Sequence, residues 1–515
     1  METSRSNKNR GPVLIANRGE IAIRIARTCR ALGFPTVAVY SDVDRFSEHT
    51  RACDQAYHVG GAAPRDSYLN VENVLKAAKA SGAKFVHPGY GFLSERPHFV
   101  DACEAAGLKF VGPTAESMRL MGDKIQARAT IDALKLPRVP GSAGAVANGA
   151  EAARVAKEIG YPILLKAAAG GGGKGMRRVD AESEMNSSFE GASRESLSAF
   201  GDGSMYVEKL ILEPHHVEIQ VFGDGKGGAI HLGERECSIQ RRHQKVWEET
   251  PSPILNAFPK TRDAMFDAAL RITSHVKYAG AGTLEFIVDG KGNFYFLEMN
   301  TRLQVEHPVT EWVTGVDLVA WQLLLAAGEF QLPLIPARRG SSIEVRLYAE
   351  DPHNFLPAPG PVGRVHLPSG PFIRFDTALT EAGEVSVHYD PMISKISVWA
   401  PTREEALGRM RVALDEVRVE PPKKSNGAKV GSLRTNLEFL QKLSRNKMVL
   451  AGDTPTDLIP RNKDLTDFVN PEITPEAAIA LSLFQLLQGT TVDSVVDSDQ
   501  VSAWALAARR EGVRQ

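Results

Sequence analysis

Residues 298–308 read Glu298-Met299-Asn300-Thr301-Arg302-Leu303-Gln304-Val305-Glu306-His307-Pro308. As an extended segment the stretch alternates without a break. Glu298, Asn300, Arg302, Gln304 and Glu306 fall on one side, and Met299, Thr301, Leu303 and Val305 on the other. The ordinary meaning of that pattern is an amphipathic edge strand with a wetted face. Here the polar side holds two carboxylates, two amides and a guanidinium, not the Lys, Thr and Ser usual on a solvated face. Just upstream, Gly282–Val288 reads as a second strand. The turn Asp289-Gly290-Lys291-Gly292-Asn293 and a return strand Phe294–Met299 complete a hairpin. Pairing Val288 with Tyr295 puts Glu285 opposite Glu298. Like charges in that position destabilise a hairpin, and a divalent cation between them reverses the sign. Two carboxylates with the Asn300 amide nearby are hard oxygen ligands that suit Mg²⁺ or Mn²⁺ bridging substrate phosphates. The hairpin therefore predicts a nucleotide site with Glu285, Glu298 and Asn300 as metal ligands.

The run EMNTRLQVEHPVTE, together with IQRRHQKVWEE (239–249) and HPGYGFLSE (87–95), closely resembles the biotin carboxylase component of biotin-dependent acyl-CoA carboxylases. The resemblance spans about Gly11 to Asp467. It implies an α/β chain: a Rossmann-like N-terminal domain (1–122), an ATP-grasp domain (123–333) with a mobile glycine-loop lid at about 139–210, a biotin carboxylase C-terminal domain (334–466), and a helical and polar tail (467–515).

Composition agrees with a soluble enzyme. The chain has 515 residues, 43% hydrophobic and 24% charged, with 61 basic and 62 acidic side chains and a net charge of -1. No field of one sign points to nucleic acid or a membrane surface. No apolar run is long enough to span a bilayer, and the polar lead-in METSRSNKNRG has no signal core. Cys29, Cys53, Cys103 and Cys237 form no CxxC pair and no His/Cys cluster, so a reducing, cytoplasmic setting is the simplest reading.

Strands alternate with helices from Pro12 to Gly112, which predicts a parallel, doubly wound sheet. The first loop, Asn17-Arg18-Gly19-Glu20, lacks GxGxxG and reads as a plain strand-to-helix turn. Pro137 and Pro140 mark a boundary, after which a helix and the strand YPILLKA lead into Gly170–Gly173, Lys174 and Gly175. Glycines in succession cost backbone entropy, and a Walker A motif is absent. A strand, a glycine loop and a second strand suit a flap whose N–H groups, Gly172 and Gly173 among them, close over phosphates. The family pattern has glycine where Ala169 stands and arginine where Lys174 stands. Tyr206–Leu212 is the strand leaving the flap. Thr310–Glu329 reads as one amphipathic helix ended by Gly328, and 341–351 as a strand on which Arg346 alternates with Glu344 and Tyr348. Residues 419–432 read as a flexible basic insertion, and 475–489 as a helix. There is no Met-Lys-Met biotinylation site, so biotin is expected on a separate carrier.

The resemblance also implies roles. Lys124 and Lys166 reach the nucleotide phosphates. Glu208, with backbone groups of Lys209, Leu210 and Ile211, reads the adenine edge. His216, Gln240 and His243 approach the nucleotide. Lys245 and Arg302 hold bicarbonate, with Gln304 and Val305 beside them, Glu306 is the general base, and Arg346 faces biotin. The reaction implied is ATP plus bicarbonate to carboxyphosphate, then carboxylation of a biotin ureido nitrogen, with released phosphate as the base towards biotin. ATP and two Mg²⁺ or Mn²⁺ ions are the expected cofactors, and biotin is a substrate. A biotin carboxyl carrier protein, a carboxyltransferase subunit and a second copy of the chain are the expected partners. A different ATP-grasp ligase of the carbamoyl-phosphate or carboxylate–amine type, or an inactive scaffold subunit, are the alternatives.

Overall fold

Five parallel strands of the computed structural model run in the order Gln55–Gly60, Thr36–Ser41, Val13–Ile15, Phe85–His87, Lys109–Phe110. The chain order reverses between Val13–Ile15 and Phe85–His87, and a ligand crevice belongs at such a switch point. The loops leaving the carboxyl ends of those two strands are Asn17–Glu20 and HPGYG. Asn17 Nδ2 ties them together by donating to the Pro88 and Tyr90 carbonyls, each at 2.7 Å. The helix Gly19–Leu32 ends on Gly33 at φ 78, a left-handed cap that glycine adopts without strain. The doubly wound reading of the first hundred residues holds.

The structure describes residues 10–167, 175–242, 244–423 and 431–467, with Glu476, Ile479, Ala480, Ser482 and Leu483; the side chains of Lys124, Ile125 and Phe200 are not described. Gly172, Gly173, His243, the Lys124 side chain and residues 424–430 of the expected insertion thus lie outside the described residues. Met1–Thr466 forms one compact unit and Asp467–Gln515 a second. The five described residues of the second unit beyond Asp467 are helical. All four cysteines are free, and among the described residues no helix is long and apolar enough to cross a membrane.

In the lid, Ile163–Ala167 pairs antiparallel with Met176–Val179 on one side and Met205–Lys209 on the other. The helices Gly149–Ile159 and Met185–Phe200 flank this sheet. The two strands expected on either side of the glycine run are both present, and the run itself lies outside the described residues. The strand leaving the flap stops at Lys209 rather than Leu212, because the partner strand is preceded by Pro162, which has no N–H to give the ladder.

An eight-stranded antiparallel sheet carries the rest, in the order Phe294–Asn300, Ala279–Val288, His215–Asp224, Ala229–Arg241, Gln244–Thr250, Ser341–Tyr348, Met392–Ala400, Ile373–Thr377. The hairpin register differs from expectation in an instructive way. Val288 pairs with Phe294, not Tyr295, because the Asp289 carboxylate collects the Lys291 and Asn293 N–H groups at 2.9 and 2.8 Å and closes a five-residue turn. A bulge at Leu297 then restores Glu285 opposite Glu298. The extended reading of 298–308 fails beyond Asn300. Glu95 accepts the Thr301 N–H at 3.0 Å, taking the donor a ladder would use, and the chain turns into the helix His307–Thr314. The single helix expected over Thr310–Glu329 is two. Gly315 sits at φ 70, and Asp317 caps the second helix, Leu318–Ala326, by accepting the Ala320 N–H at 2.8 Å.

Arg235 is wholly buried in the sheet, paired with Glu218 and donating to Gln220, Thr310 and Thr283 at 2.6, 3.0 and 3.1 Å. Arg235→Met is expected to cost ~3–5 kcal/mol, because it strands part of a buried network. Thermal unfolding checks this, and an unchanged Tm would count against it.

Candidate active site

Four charged residues stand directly opposite one another across four strands: Glu298, Glu285, Glu218 and Arg235. Lys245 reaches this row from Gln244–Thr250. Its ammonium donates to Glu218 at 2.6 Å, and to Glu285 and Glu306 at 2.8 Å each. Burial opposes its charge, but the three carboxylates outweigh burial and keep it protonated far above the usual lysine range. Glu285 also accepts from Asn300 Nδ2 at 2.9 Å and Gln304 Nε2 at 3.2 Å, and its other oxygen lies 2.9 Å from His216 Nε2. Burial would raise the Glu285 carboxyl, but Lys245 and His216 hold it well below the usual range. The same carboxylate draws His216 upward against burial, and Gln240 Nε2 lies 2.7 Å from the other ring nitrogen.

The turn 301–306 brings Arg302, Gln304 and Glu306, the residues expected at bicarbonate, together without a strand. Arg302 donates to Glu95 at 2.9 Å, Gln304 at 2.7 Å and Asn300 at 3.2 Å. Glu306 is fully buried and clamped between Lys245 and Arg346, the latter at 3.0 Å. Burial alone would raise its carboxyl, but Lys245, Arg346 and Arg235 drive it far below the usual range. Arg346 also donates to Glu248 at 2.6 Å. Arg346 does not lie on a solvated face: its alternating neighbours Glu344 and Tyr348 are both buried.

At the lid, Lys166 and Arg128 both clamp the Glu208 carboxylate. Lys209 Nζ donates to the Gly160 and Tyr161 carbonyls, both at 2.9 Å. The backbone N–H groups of Lys209 and Leu210 are donated to Pro140 and Pro162 carbonyls. Of the backbone groups expected to read adenine, these two N–H groups are therefore already paired.

The donor set fits a divalent cation at the hairpin. Among the described residues no donor reaches the Glu298 carboxylate, whose rim is open to solvent. The surrounding protein and the Glu285 charge push its carboxyl up. An unneutralised carboxylate facing a second one is the arrangement a cation relieves. Two buried groups, His216–Glu218–Glu285 and Glu218–Cys237–Glu306, also offer ligand atoms within 4.8 Å of one another. Both surround Lys245, whose ammonium already supplies the cation.

Sequence reasoning missed Glu218, Glu95, Glu248 and Arg128. The alternation in HHVEIQV carried a signal for Glu218, two residues from His216 on the same face. Nothing local marks the other three, whose partners lie between 80 and 207 residues away.

Three family models cover the chain in order. The biotin carboxylase N-terminal domain matches residues 10–118, the ATP-binding domain of the carbamoyl-phosphate synthase L chain 123–334, and the biotin carboxylase C-terminal domain 344–461. Biotin carboxylase of Halalkalibacterium halodurans is 45% identical over 463 residues, covering 89% of this chain and 99% of its own. The mitochondrial methylcrotonoyl-CoA carboxylase subunit alpha of Mus musculus is 45% identical over 508 residues, covering 97% of this chain and 69% of its own. Among solved structures, the biotin carboxylase domain dimer of Hydrogenobacter thermophilus 2-oxoglutarate carboxylase, with MgADP, ADP and bicarbonate, superposes with a TM-score of 0.81 at 43% identity, covering 89% of this chain and 99% of its own. A Rossmann-like N-terminal domain followed by an ATP-grasp core defines an ATP-dependent ligase. The chain belongs to the biotin carboxylase family.

Proposed function

We propose that this chain carboxylates biotin on a carrier protein, using ATP and bicarbonate and passing through carboxyphosphate. The observation that carries the reading is the Glu306 carboxylate held between Lys245 and Arg346 beside the Arg302 fork. Arg302 gives a planar bidentate donor and Lys245 a point charge, a pair matched to a small planar oxyanion. Gln304 and the Val305 backbone line the same turn. Glu306 is a weak base while both cations hold it. As Lys245 shifts towards a bound anion, that restraint relaxes, and Glu306 takes the bicarbonate proton. The oxygen thus freed attacks the terminal phosphorus of ATP, and ADP leaves. Arg346 then faces the oxygen of biotin as it gains enolate charge.

On the nucleotide side, Lys166, Glu208, His216 and Gln240 join Lys124, His243 and the glycines 172–173 as the proposed contacts. Glu285, Glu298 and Asn300 would hold Mg²⁺ or Mn²⁺, which supplies charge neutralisation at the phosphates. The relative solved with MgADP and bicarbonate supports a magnesium–nucleotide site in this family. A carrier, a carboxyltransferase subunit and a homodimer fit the relatives' names, and four free cysteines fit the cytoplasm. The ATP-binding match to carbamoyl-phosphate synthase is flanked on both sides by biotin carboxylase matches, which favours biotin as acceptor.

The test is ADP release from the purified chain. Release should require bicarbonate and rise with free biotin. Release indifferent to both would overturn the reading.

The two metal carboxylates should separate. Among the described residues Glu298 has no partner, so Glu298→Gln should raise the Mg²⁺ needed for half-maximal rate and leave Tm unchanged. Glu285 holds Lys245, His216, Asn300 and Gln304, so Glu285→Gln should lower Tm as well. Magnesium titrations and melting curves check the pair, and identical behaviour of the two variants would contradict the assignment.

A further inference from the structure

The turn that carries Arg302 and Glu306 has no side-chain cap of its own at the start of the helix it enters. Its shape is held from outside. The Gln304 carbonyl accepts from the His307 ring at 2.8 Å, and the next carbonyl, that of Val305, accepts from Lys395 Nζ at 2.8 Å. Lys395 is buried, 1% exposed, on the strand Met392–Ala400. It stands directly opposite Arg346 in the register of the neighbouring strand. One cross-strand pair thus holds both ends of the same residue's surroundings: Arg346 the Glu306 carboxylate, Lys395 the peptide that enters Glu306.

The other side of Lys395 meets the N-terminal domain. Its ammonium lies 3.4 Å from Glu20 Oε1 and 5.7 Å from the centre of the Tyr90 ring, and the Tyr90 hydroxyl donates to that same Glu20 oxygen. Glu20 closes the Asn17–Glu20 turn and Tyr90 lies in HPGYG. These are the two loops of the switch point, and the nucleotide and anion contacts drawn above use neither. Among the described residues the second Glu20 oxygen is buried with no hydrogen-bond partner, and the Lys395 ammonium is the principal charge opposing the burial that pushes this carboxyl up to about 7.

We infer that Lys395 is a positioning residue for the bicarbonate turn, with Glu20 and Tyr90 as its anchor in the N-terminal domain. Fixing the Val305 carbonyl fixes the plane of the Val305–Glu306 peptide, and with it the direction in which the Glu306 side chain leaves the backbone. A general base displaced by about 1 Å can cost about 10²-fold in rate. The inference rests on the bicarbonate reading given above.

Lys395→Met and Lys395→Arg are compared with the parent, with Glu20→Gln as a second, milder perturbation. Lys395→Met is expected to lower kcat/KM for bicarbonate by about 10²-fold and to raise the bicarbonate KM. ADP affinity, measured calorimetrically, should match the parent. Lys395→Arg should restore most of the loss, and Glu20→Gln should move the bicarbonate KM in the same direction by less. Glu20→Gln leaves the lysine in place with Asp376 still opposite it in the neighbouring strand, so it reports even if Lys395→Met does not fold. An unchanged bicarbonate KM in Glu20→Gln, or equal losses of ADP and bicarbonate affinity in Lys395→Met, overturns the inference. A parent with no bicarbonate-dependent ADP release overturns the function and this inference together, whereas an active parent with an unaffected variant overturns the inference alone.

Discussion

Glu306→Gln is expected to lower bicarbonate-driven ADP release by about 10²–10⁴-fold, the usual worth of a positioned general base. Two features of the site set that size. The side chain is fully buried, so no solvent base can reach the same proton. Its two oxygens are divided between Lys245 at 2.8 Å and Arg346 at 3.0 Å, so Gln keeps the shape but loses the charge both cations face. Affinity for ADP should be unchanged, because the lid clamp at Glu208 and Lys166 is untouched. Steady-state kinetics in bicarbonate and ADP titration of the same preparation check this. A loss under about threefold would remove Glu306 from the base role.

Arg346→Ala should divide the two half-reactions. Arg302 and Lys245, the proposed bicarbonate contacts, remain, so carboxyphosphate formation and its breakdown should continue. What would be lost is the cation proposed to face the biotin oxygen as it becomes an enolate, and a donor of that kind contributes ~3–4 kcal/mol. Carboxybiotin formation should fall by about 10²–10³-fold, while bicarbonate-dependent ADP release falls modestly. The structure adds a reason for the modest part: Arg346 restrains Glu306, and removing it makes Glu306 a stronger base. Glu248 loses its partner in the same variant. Burial, with Arg346 opposing, already pushes that carboxyl up to about 7, so it can take a proton instead of remaining a buried lone charge. ADP release and labelled carboxybiotin are measured from one sample. Equal falls in both would mean that Arg346 acts before biotin enters.

Local patterns carried the secondary structure where one element obeys one period. The doubly wound start and the two strands flanking the glycine run were legible in that way, whereas Glu285 meets Glu298 only because a bulge cancels a one-residue difference in register. The errors came where side chains took over backbone donors. Asp289 shortened the hairpin register by one residue, Glu95 removed Thr301 from the ladder, and Asp317 with Gly315 divided a helix. The candidate residues were chosen largely because the run EMNTRLQVEHP resembles a known family. Their alternation on a strand was the wrong geometry for that set, since a turn and not a strand carries Arg302, Gln304 and Glu306. Glu218 was readable from its own strand. Glu95, Glu248 and Lys395 were not, because each acts on a residue from a distant part of the chain, and one sequence holds no record of such a contact.

Labelled bicarbonate supplied to the purified chain with ATP, Mg²⁺ and free biotin is the most direct measurement of the central claim. The account predicts acid-labile label on biotin, formed only when ATP, Mg²⁺ and bicarbonate are all present and never in excess of the ADP released. ADP release that ignores bicarbonate, with no label reaching biotin, would contradict it.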